Sequence, residues 1–383
     1  MNHFRVAIVG GGLAGATLAN ALVQLSQMDA HIFESAAEFS ERGAAVGLGI
    51  NAQIALNEII SAPAAVALLD KAGGVLTNTS RIVLGSEPEA GSLIFDLAEG
   101  DPGRTLHRAS LLRELLAPLP KNSLHANKKL VTIKTGDEGF DAVIGADGIF
   151  SSVRDHVLGD QAAEYAASPA GFWDCRNLVP FDKAKAVLGD EYFEVDRQWD
   201  WVGDGAFLLH DPLESRTVVQ CVVSAIEKDP GTGRKDRKRR LSREMLEGSL
   251  HNWLNGPITK GIMDLVLDQV DSSSYSRWEH KVTPTYAKRR VCLIGDAAHA
   301  TIPLQGAGIG LAIEDTMVLG TLLAKVSSKE DFESAFQAYD KSGLQADKLR
   351  GLLAPQWNFL FDLDMAGHKK DALDKMQKKL KNQ

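Results

Sequence analysis

Two rhythms of apolar and polar positions divide the chain. Short apolar runs at residues 6–9, 30–33, 140–144 and 291–294 read as strands buried on both faces, as in a parallel sheet. Helical periodicity occupies residues 16–23, 52–72 (Ile54, Leu56, Ile59, Ile60, Ala65, Leu68, Leu69), 109–116, the stretch after Gly306 to about 325, and 332 to the C-terminus. A different texture fills residues 167–283, strand-rich with scattered aromatics (Phe172, Trp173, Phe193, Trp199, Trp201, Phe207), its clearest strand at 217–223. Residues 80–84 and 92–97 predict a hairpin, residues 124–135 one or two strands, and residues 241–254 a helix. The pattern predicts an α/β nucleotide domain assembled from residues 1–75, 100–165 and 284–330. A sheet domain from residues 76–99 and 166–283 is inserted into it, and C-terminal helices follow over 331–383.

The first thirty-five residues carry the strongest chemistry. Gly10, Gly12 and Gly15 follow the first strand in GxGxxG spacing, a helix continues from Leu13 and Ala14, and Glu34 ends the next strand, 34 − 15 = 19 residues past the last glycine. The first glycine permits a tight turn, the second lets the backbone approach a pyrophosphate, and the third lets helix and strand pack closely. The helix N-terminus offers free N–H groups and partial positive charge. Glu34 can accept hydrogen bonds from adenosine ribose hydroxyls, with Ser35 beside it. This Rossmann-type arrangement implies a bound adenine dinucleotide. Further on, Arg42 and Gly47 lie in a glycine-rich loop that can run close against something flat.

Composition narrows the classes. A hydrophobic content of 44% supports a full core, and a formal charge of −8 argues against general nucleic-acid binding. The basic run from Arg234 to Arg240 reads as the solvated start of a helix rather than a phosphate-docking patch. Cys175, Cys221 and Cys292 stand far apart, with neither disulfide nor metal spacing, as expected of reduced thiols in a cytoplasmic protein. The first strand begins almost at the N-terminus, and no apolar run approaches the length of a membrane span, so the expectation is a soluble protein without a leader.

Three more motifs accompany the glycine loop. His107-Arg108 precedes a helix; Asp147-Gly148 follows a buried strand, with Ser152-Val153-Arg154 after it. Gly295-Asp296-Ala297-Ala298-His299 leads through Pro303 to Gly306-Ala307-Gly308-Ile309-Gly310 and Glu314-Asp315. Together and in this order they resemble the FAD-dependent aromatic hydroxylases, the single-component flavoprotein monooxygenases of the p-hydroxybenzoate and salicylate hydroxylase kind, and are nearest the salicylate hydroxylase branch.

The resemblance implies an FAD-binding domain of the p-hydroxybenzoate hydroxylase kind and NADH or NADPH as co-substrate. It implies hydroxylation of a phenolic or aromatic acid by oxygen delivered from a flavin C4a-hydroperoxide. Gly10, Gly12 and Gly15 would cradle the pyrophosphate and Glu34 the ribose. Arg42 and Arg108 would lie along the cofactor, Asp147-Gly148 would help bind FAD, and Asp296 would take a ribityl hydroxyl. Pro303 would sit beside the flavin ring. The turn at Gly306, Ala307, Gly308 and Ile309 would aim a helix N-terminus at the flavin pyrimidine, where negative charge collects on reduction. Arg176 is the candidate to pair with a substrate carboxylate or phenolate; a surface arginine on an edge strand is the competing reading. His299 reads as structural rather than as a base.

Three departures from the family qualify this. His210-Asp211-Pro212 stands where many relatives have Tyr-Pro, which removes a polar substrate contact, and Leu304 replaces a common histidine beside the flavin. The chain from Leu111 to Asp147 is short, with the expected hairpin reduced to Gly136-Asp137-Glu138-Gly139: a truncated surface loop, or a stretch left out. The alternative substrate is a larger secondary metabolite, oxidised by epoxidation or dearomatisation. A protein with vestigial flavin motifs is the reading outside enzymes, and the joint presence of Glu34, Arg108, Asp147 and Asp296 opposes it. A monomer or homodimer is expected.

Overall fold

The computed structural model describes residues 3–40, 45–77, 80–96, 103–134, 136, 139–228, 233, 237–302 and 308–342. The opening unit is β1 (Phe4–Val9), α1 (Leu13–Leu22) and β2 (Met28–Phe33). Next come β3 (Ala45–Leu48), α2 (Ile50–Ile60), α3 (Ala62–Lys71), β4 (Val75–Thr77), β5 (Ser80–Leu84), β6 (Leu93–Asp96), β7 (Gly103–His107) and α4 (Arg108–Leu116). The chain returns to the first sheet through β8 (Leu124–His125) and β9 (Ala142–Gly145), then enters α5 (Ser152–Leu158). The second body holds β10 (Ser168–Pro180), α6 (Phe181–Leu188), β11 (Gln198–Gly203), β12 (Ala206–Leu213), β13 (Val218–Ile226), β14 (Lys238–Arg240), α7 (Arg243–Ser249), α8 (Thr259–Leu267) and β15 (Ser273–Glu279). Last are β16 (Ala287–Lys288), β17 (Val291–Leu293), α9 (Asp296–His299), α10 (Gly308–Leu323) and α11 (Asp331–Ser342).

The first sheet has strand order β16-β17-β9-β1-β2-β8, parallel from β17 to β8. Val6 and Ile8 share a buried core with Leu18 and Leu22 of α1, as their strand and helix periodicities require. Contact is this close because Gly15 has no Cβ; one built there would lie 2.1 Å from the Gly10 oxygen and 3.2 Å from Ile8. The second sheet has order β14-β15-β10-β13-β12-β11-β5-β6, and β3-β7-β4 forms a small third sheet between the two. One face of the second sheet is covered by α6, α7 and α8, with Trp173, Trp201, Leu208 and Val223 packed under Leu188, Leu246 and Ile262. No single described helix is long and apolar enough to cross a membrane.

Local expectations fail in two places and are met at the lower bound in a third. The helix predicted over 52–72 is two helices bent by 117°. Ser61 takes a left-handed φ of 72°, and Pro63, in the first turn of α3, removes a donor and blocks continuation. The basic run is not a helix start: its described end, Lys238–Arg240, is edge strand β14 paired with β15. Charged side chains suit a sheet edge, and the helix begins only where the Ser242 hydroxyl accepts from the Met245 N–H at 3.2 Å. Of the one or two strands expected over 124–135, one forms, Leu124–His125; the described residues 126–134 add no second, and Val131 is 92% exposed. Between His125 and Ala142 the described residues supply no further strand. A cavity of about 1320 Å³ therefore lies over the sheet face opposite α1, lined by Ala7, Val9, Phe33 and Val143.

Candidate active site

Four cofactor-type turns meet at one edge. β1 leads into Gly10, β2 into Glu34, β9 into the turn at Asp147 and β17 into that at Asp296, so each lies just past the carboxyl end of a parallel strand. Chain order reverses on either side of β1, and the crevice at such a switch point is where open α/β sheets bind ligands.

Backbone constraints fix the centre. Gly10 adopts a φ of 110°, and a Cβ there would stand 2.2 Å from the Ala146 oxygen. The glycine loop is thus pressed against the turn that carries Asp147. Gly12 caps α1 without a side chain, so the first N–H groups of that helix face outward with no intrahelical partner. Glu34 braces the loop: Oε2 accepts from the Gly11 N–H at 2.8 Å, and Oε1 from the Ala36 N–H at 2.7 Å and the Ser35 hydroxyl at 3.1 Å. A carboxylate has four acceptor positions, so one remains for a ribose hydroxyl, and a second opens if Ser35 turns away.

Asp147 is committed to its own turn. It accepts from the Ser151 hydroxyl and from the Ser152 and Val153 N–H groups (2.8 and 3.3 Å), closing the N-terminus of α5. Burial raises its pKa despite these bonds. Its neighbour Gly148 has a φ of 77° with open space beside it. Gly295 sits between α1 and α10, where a Cβ would lie 3.0 Å from Ala14 and 3.3 Å from Ala312, and this brings the exposed Asp296 to the glycine loop.

Sequence reasoning missed the residues that hold these turns. Asp315, on α10, accepts from the Gly295 N–H at 2.8 Å and pairs with His299 Nε2 at 2.7 Å. Burial favours neutral His299, but the Asp315 carboxylate, joined by Asp296 and a backbone bond, raises its pKa on balance. Buried Arg154 donates to the Ala297 and Ala298 carbonyls (3.2 and 2.8 Å), the Tyr165 carbonyl (3.2 Å) and the Thr283 hydroxyl (2.8 Å), tying α5 to α9. Both were quoted in motifs; their tertiary partners had no local signal.

The helix-free face of the second sheet looks toward this edge. Its docking contacts are the Ala45 N–H to Gln220 Oε1 at 2.6 Å, Glu214 against His107 at 3.4 Å, and His280 with the Ile149 carbonyl at 2.8 Å. Strand register sets its side chains in rows. One row reads Ile82, Asp200, Leu209, Val222, Arg176; the next reads Gln198, Asp211, Gln220, Leu178. Arg176 therefore lies on the inward face, but it is paired: it donates to Asp174 Oδ2 at 2.7 Å, and Arg277 donates to the same oxygen. Burial lowers the Arg277 pKa, partly offset by Asp174. His210 faces the other way, buried against Trp199 and Trp201, and burial drives its pKa down to about 3.

Gly47 and Gly308 also have open space beside their backbones, Gly308 and Ile309 open α10, and Arg108 opens α4. Arg42, Pro303, Gly306 and Ala307 lie outside the described residues. The bare backbone at Gly47, Gly148 and Gly308, with an uncapped helix end and an acceptor-rich carboxylate, suits a flat flavin with a pyrophosphate and a ribose.

A family model described as an FAD binding domain matches residues 140–348. The 6-methylsalicylate 1-monooxygenase of Aspergillus terreus is 33% identical over 378 residues, covering 90% of this chain and 80% of that protein. The salicylate hydroxylase of Sarocladium schorii is 30% identical over 349 residues, covering 84% and 71%. A salicylate hydroxylase substrate complex matches with a TM-score of 0.72 at 22% identity, over 96% of this chain and 97% of that one. Klebsiella pneumoniae HpxO complexed with FAD and uric acid matches at 0.75 and 21% identity, over 97% and 92%. The structural matches establish a shared fold.

Proposed function

The chain belongs to the FAD-dependent monooxygenase family, and we propose that it hydroxylates a phenolic aromatic acid of the salicylate type with electrons from NADH or NADPH. The observation that carries this is the meeting of four cofactor-type turns beneath a sheet face with an apolar middle, Leu209 and Val222, and polar ends. A cytoplasmic location is the reading that three free, buried cysteines support.

When bound, FAD supplies the hydride acceptance and oxygen activation. The chain's residues bind, orient and exclude water. The N–H groups at Gly12, Leu13 and Ala14 would receive the pyrophosphate, Glu34 the ribose, and Asp296 a ribityl hydroxyl. Gly308 and Ile309 would present the positive end of α10 to the flavin, favouring the negative charge that develops on reduction. Leu209 and Val222 give the aromatic ring an apolar, dry seat.

Arg176 supplies positive charge only in excess of Asp174. Arg176→Ala should raise KM for an aromatic acid several-fold and increase H2O2 formed per NADH, with flavin content unchanged. Unchanged kinetics would make it a structural partner of Asp174.

A larger substrate is the second reading. Asp200 and Arg176 stand three inter-strand spacings apart, roughly 14 Å, wider than one ring.

The test is the visible spectrum of the purified protein, followed by anaerobic NADH and NADPH titration with and without salicylate. A flavin spectrum that bleaches faster with the ligand supports the proposal. Protein that cannot be reconstituted with FAD contradicts it.

A further inference from the structure

We propose that Asp211 accepts the proton of the substrate's ring hydroxyl. The inference rests on the hydroxylase reading and adds the residue that activates the ring.

Asp211 lies on the inward face of β12, in the row next to the apolar seat. Register places Gln220 directly opposite it on β13, and Gln198 continues the row on β11. Its two oxygens are treated differently. Oδ1 accepts from Gln220 Nε2 at 3.3 Å, a long bond, whereas Oδ2 is buried with no partner among the described residues. The Gln220 amide cannot rotate to change this, because its Oε1 is held by the Ala45 N–H at 2.6 Å. Gln198 is engaged as well: its Nε2 donates to both oxygens of Asp200, at 2.8 and 3.0 Å. One acceptor is therefore left open, buried beside the seat. A buried acceptor of this kind is costly unless a donor arrives, and a phenolic O–H is such a donor.

The surroundings set its proton affinity. Asp200, diagonal to Asp211 on the same face, is the charged group nearest in the rows. Arg176 is in the Asp200 row but on β10, Asp174 lies one row further, and Arg277 pairs with Asp174. Glu214 and His107 sit past the end of β12, toward β7. His210 and Cys221 are on the opposite face. With no cation paired to it, burial and then Asp200 push the Asp211 carboxyl up to about 8, and burial pushes Asp200 up to about 7. A base poised near the working pH is the most effective kind. In the step, the phenolic O–H bond breaks, the proton joins Asp211 Oδ2, and the electron pair stays on the ring oxygen. The ring becomes more electron-rich toward an electrophilic oxygen, and nothing is oxidised or reduced in this step.

The experiment uses the FAD-loaded enzyme and Asp211→Asn, with two readouts. In the first, 4-nitrophenol, ionised when free, is bound in unbuffered solution at a pH about one unit above the Asp211 value. Wild type should take up close to one proton per ligand bound, held between Asp211 and the phenolate oxygen, and the variant none; equal uptake in both overturns the proposal even if no substrate turns over. The second is NADH-driven hydroxylation of salicylate and ring-fluorinated salicylates. The variant should keep its flavin and its NADH reduction but lose hydroxylation roughly 100-fold, with the deficit shrinking as the phenol becomes more acidic. Wild-type kcat/KM should rise with pH to about 8 and then level, a limb absent in the variant. A variant within twofold of wild type on every substrate overturns the assignment. A wild type that hydroxylates none of them overturns the hydroxylase reading instead, and the nitrophenol result still decides the role of Asp211.

Discussion

Gly10→Ala should abolish flavin retention and destabilise the fold by about 3 kcal/mol or more. Two penalties act together. The φ of 110° is strained for any residue with a Cβ. That Cβ would also lie 2.2 Å from the Ala146 oxygen, 2.6 Å from the Ala146 carbonyl carbon and 2.9 Å from the Asp147 Cα. All three are backbone atoms, so no side-chain rotation relieves the clash. Relief requires β9 to part from β1, at the expense of the Ala146 N–H to Val9 carbonyl bond (2.7 Å), or Gly10 to shift and lose its N–H bond to the Phe33 carbonyl of β2 (2.8 Å). Gly47→Ala is the control: nothing lies within 4 Å of its Cβ position, so the variant should fold normally and weaken only FAD affinity. Calorimetric Tm and flavin absorbance per protein separate the two. Wild-type Tm with full flavin in Gly10→Ala would contradict the account of the loop.

Asp315→Ala should cost about 3–5 kcal/mol, because it leaves the buried His299 without its counter-charge and frees the Gly295 N–H. The loss carries a pH signature. The folded-state pKa of His299 is raised above its unfolded value of 6.5, so the pair's stabilisation is complete below pH 6.5 and fades as pH rises through the folded pKa. The gap between wild type and variant in urea unfolding should therefore be widest below pH 6.5 and narrow on the alkaline side. Flavin content should fall too, since Asp296 loses the turn that aims it. A gap independent of pH would mean that the pair is not ionised.

The glycine loop and Glu34 were legible because their constraints are local. A tight turn, a helix start and an acid at the next strand end all lie within one βαβ unit. Asp296 was legible only as part of a motif, since its position depends on Gly295 fitting between Ala14 and Ala312. The split of α2 from α3 was available in Pro63 and was hidden by a continuous apolar periodicity. A second strand in 124–135 needed a partner that the described residues do not provide. Arg176 was legible as a candidate, but neither its pairing with Asp174 nor the arrival of Arg277 at the same oxygen from 103 residues away had a local signal. The acid row was the least visible. Asp200, Asp211 and Gln220 become neighbours only through the register of β11, β12 and β13, and Asp211 alone reads as a lost tyrosine.

The most direct test of the central claim is hydroxylation under oxygen-18. The FAD-loaded protein is supplied with NADH or NADPH and with salicylate or 6-methylsalicylate, and the products are weighed by mass spectrometry. The account predicts a hydroxylated aromatic carrying one atom of oxygen-18, formed in proportion to the reduced nicotinamide consumed. Nicotinamide oxidation that yields only H2O2 with both acids, under conditions where either binds and accelerates flavin reduction, would contradict it.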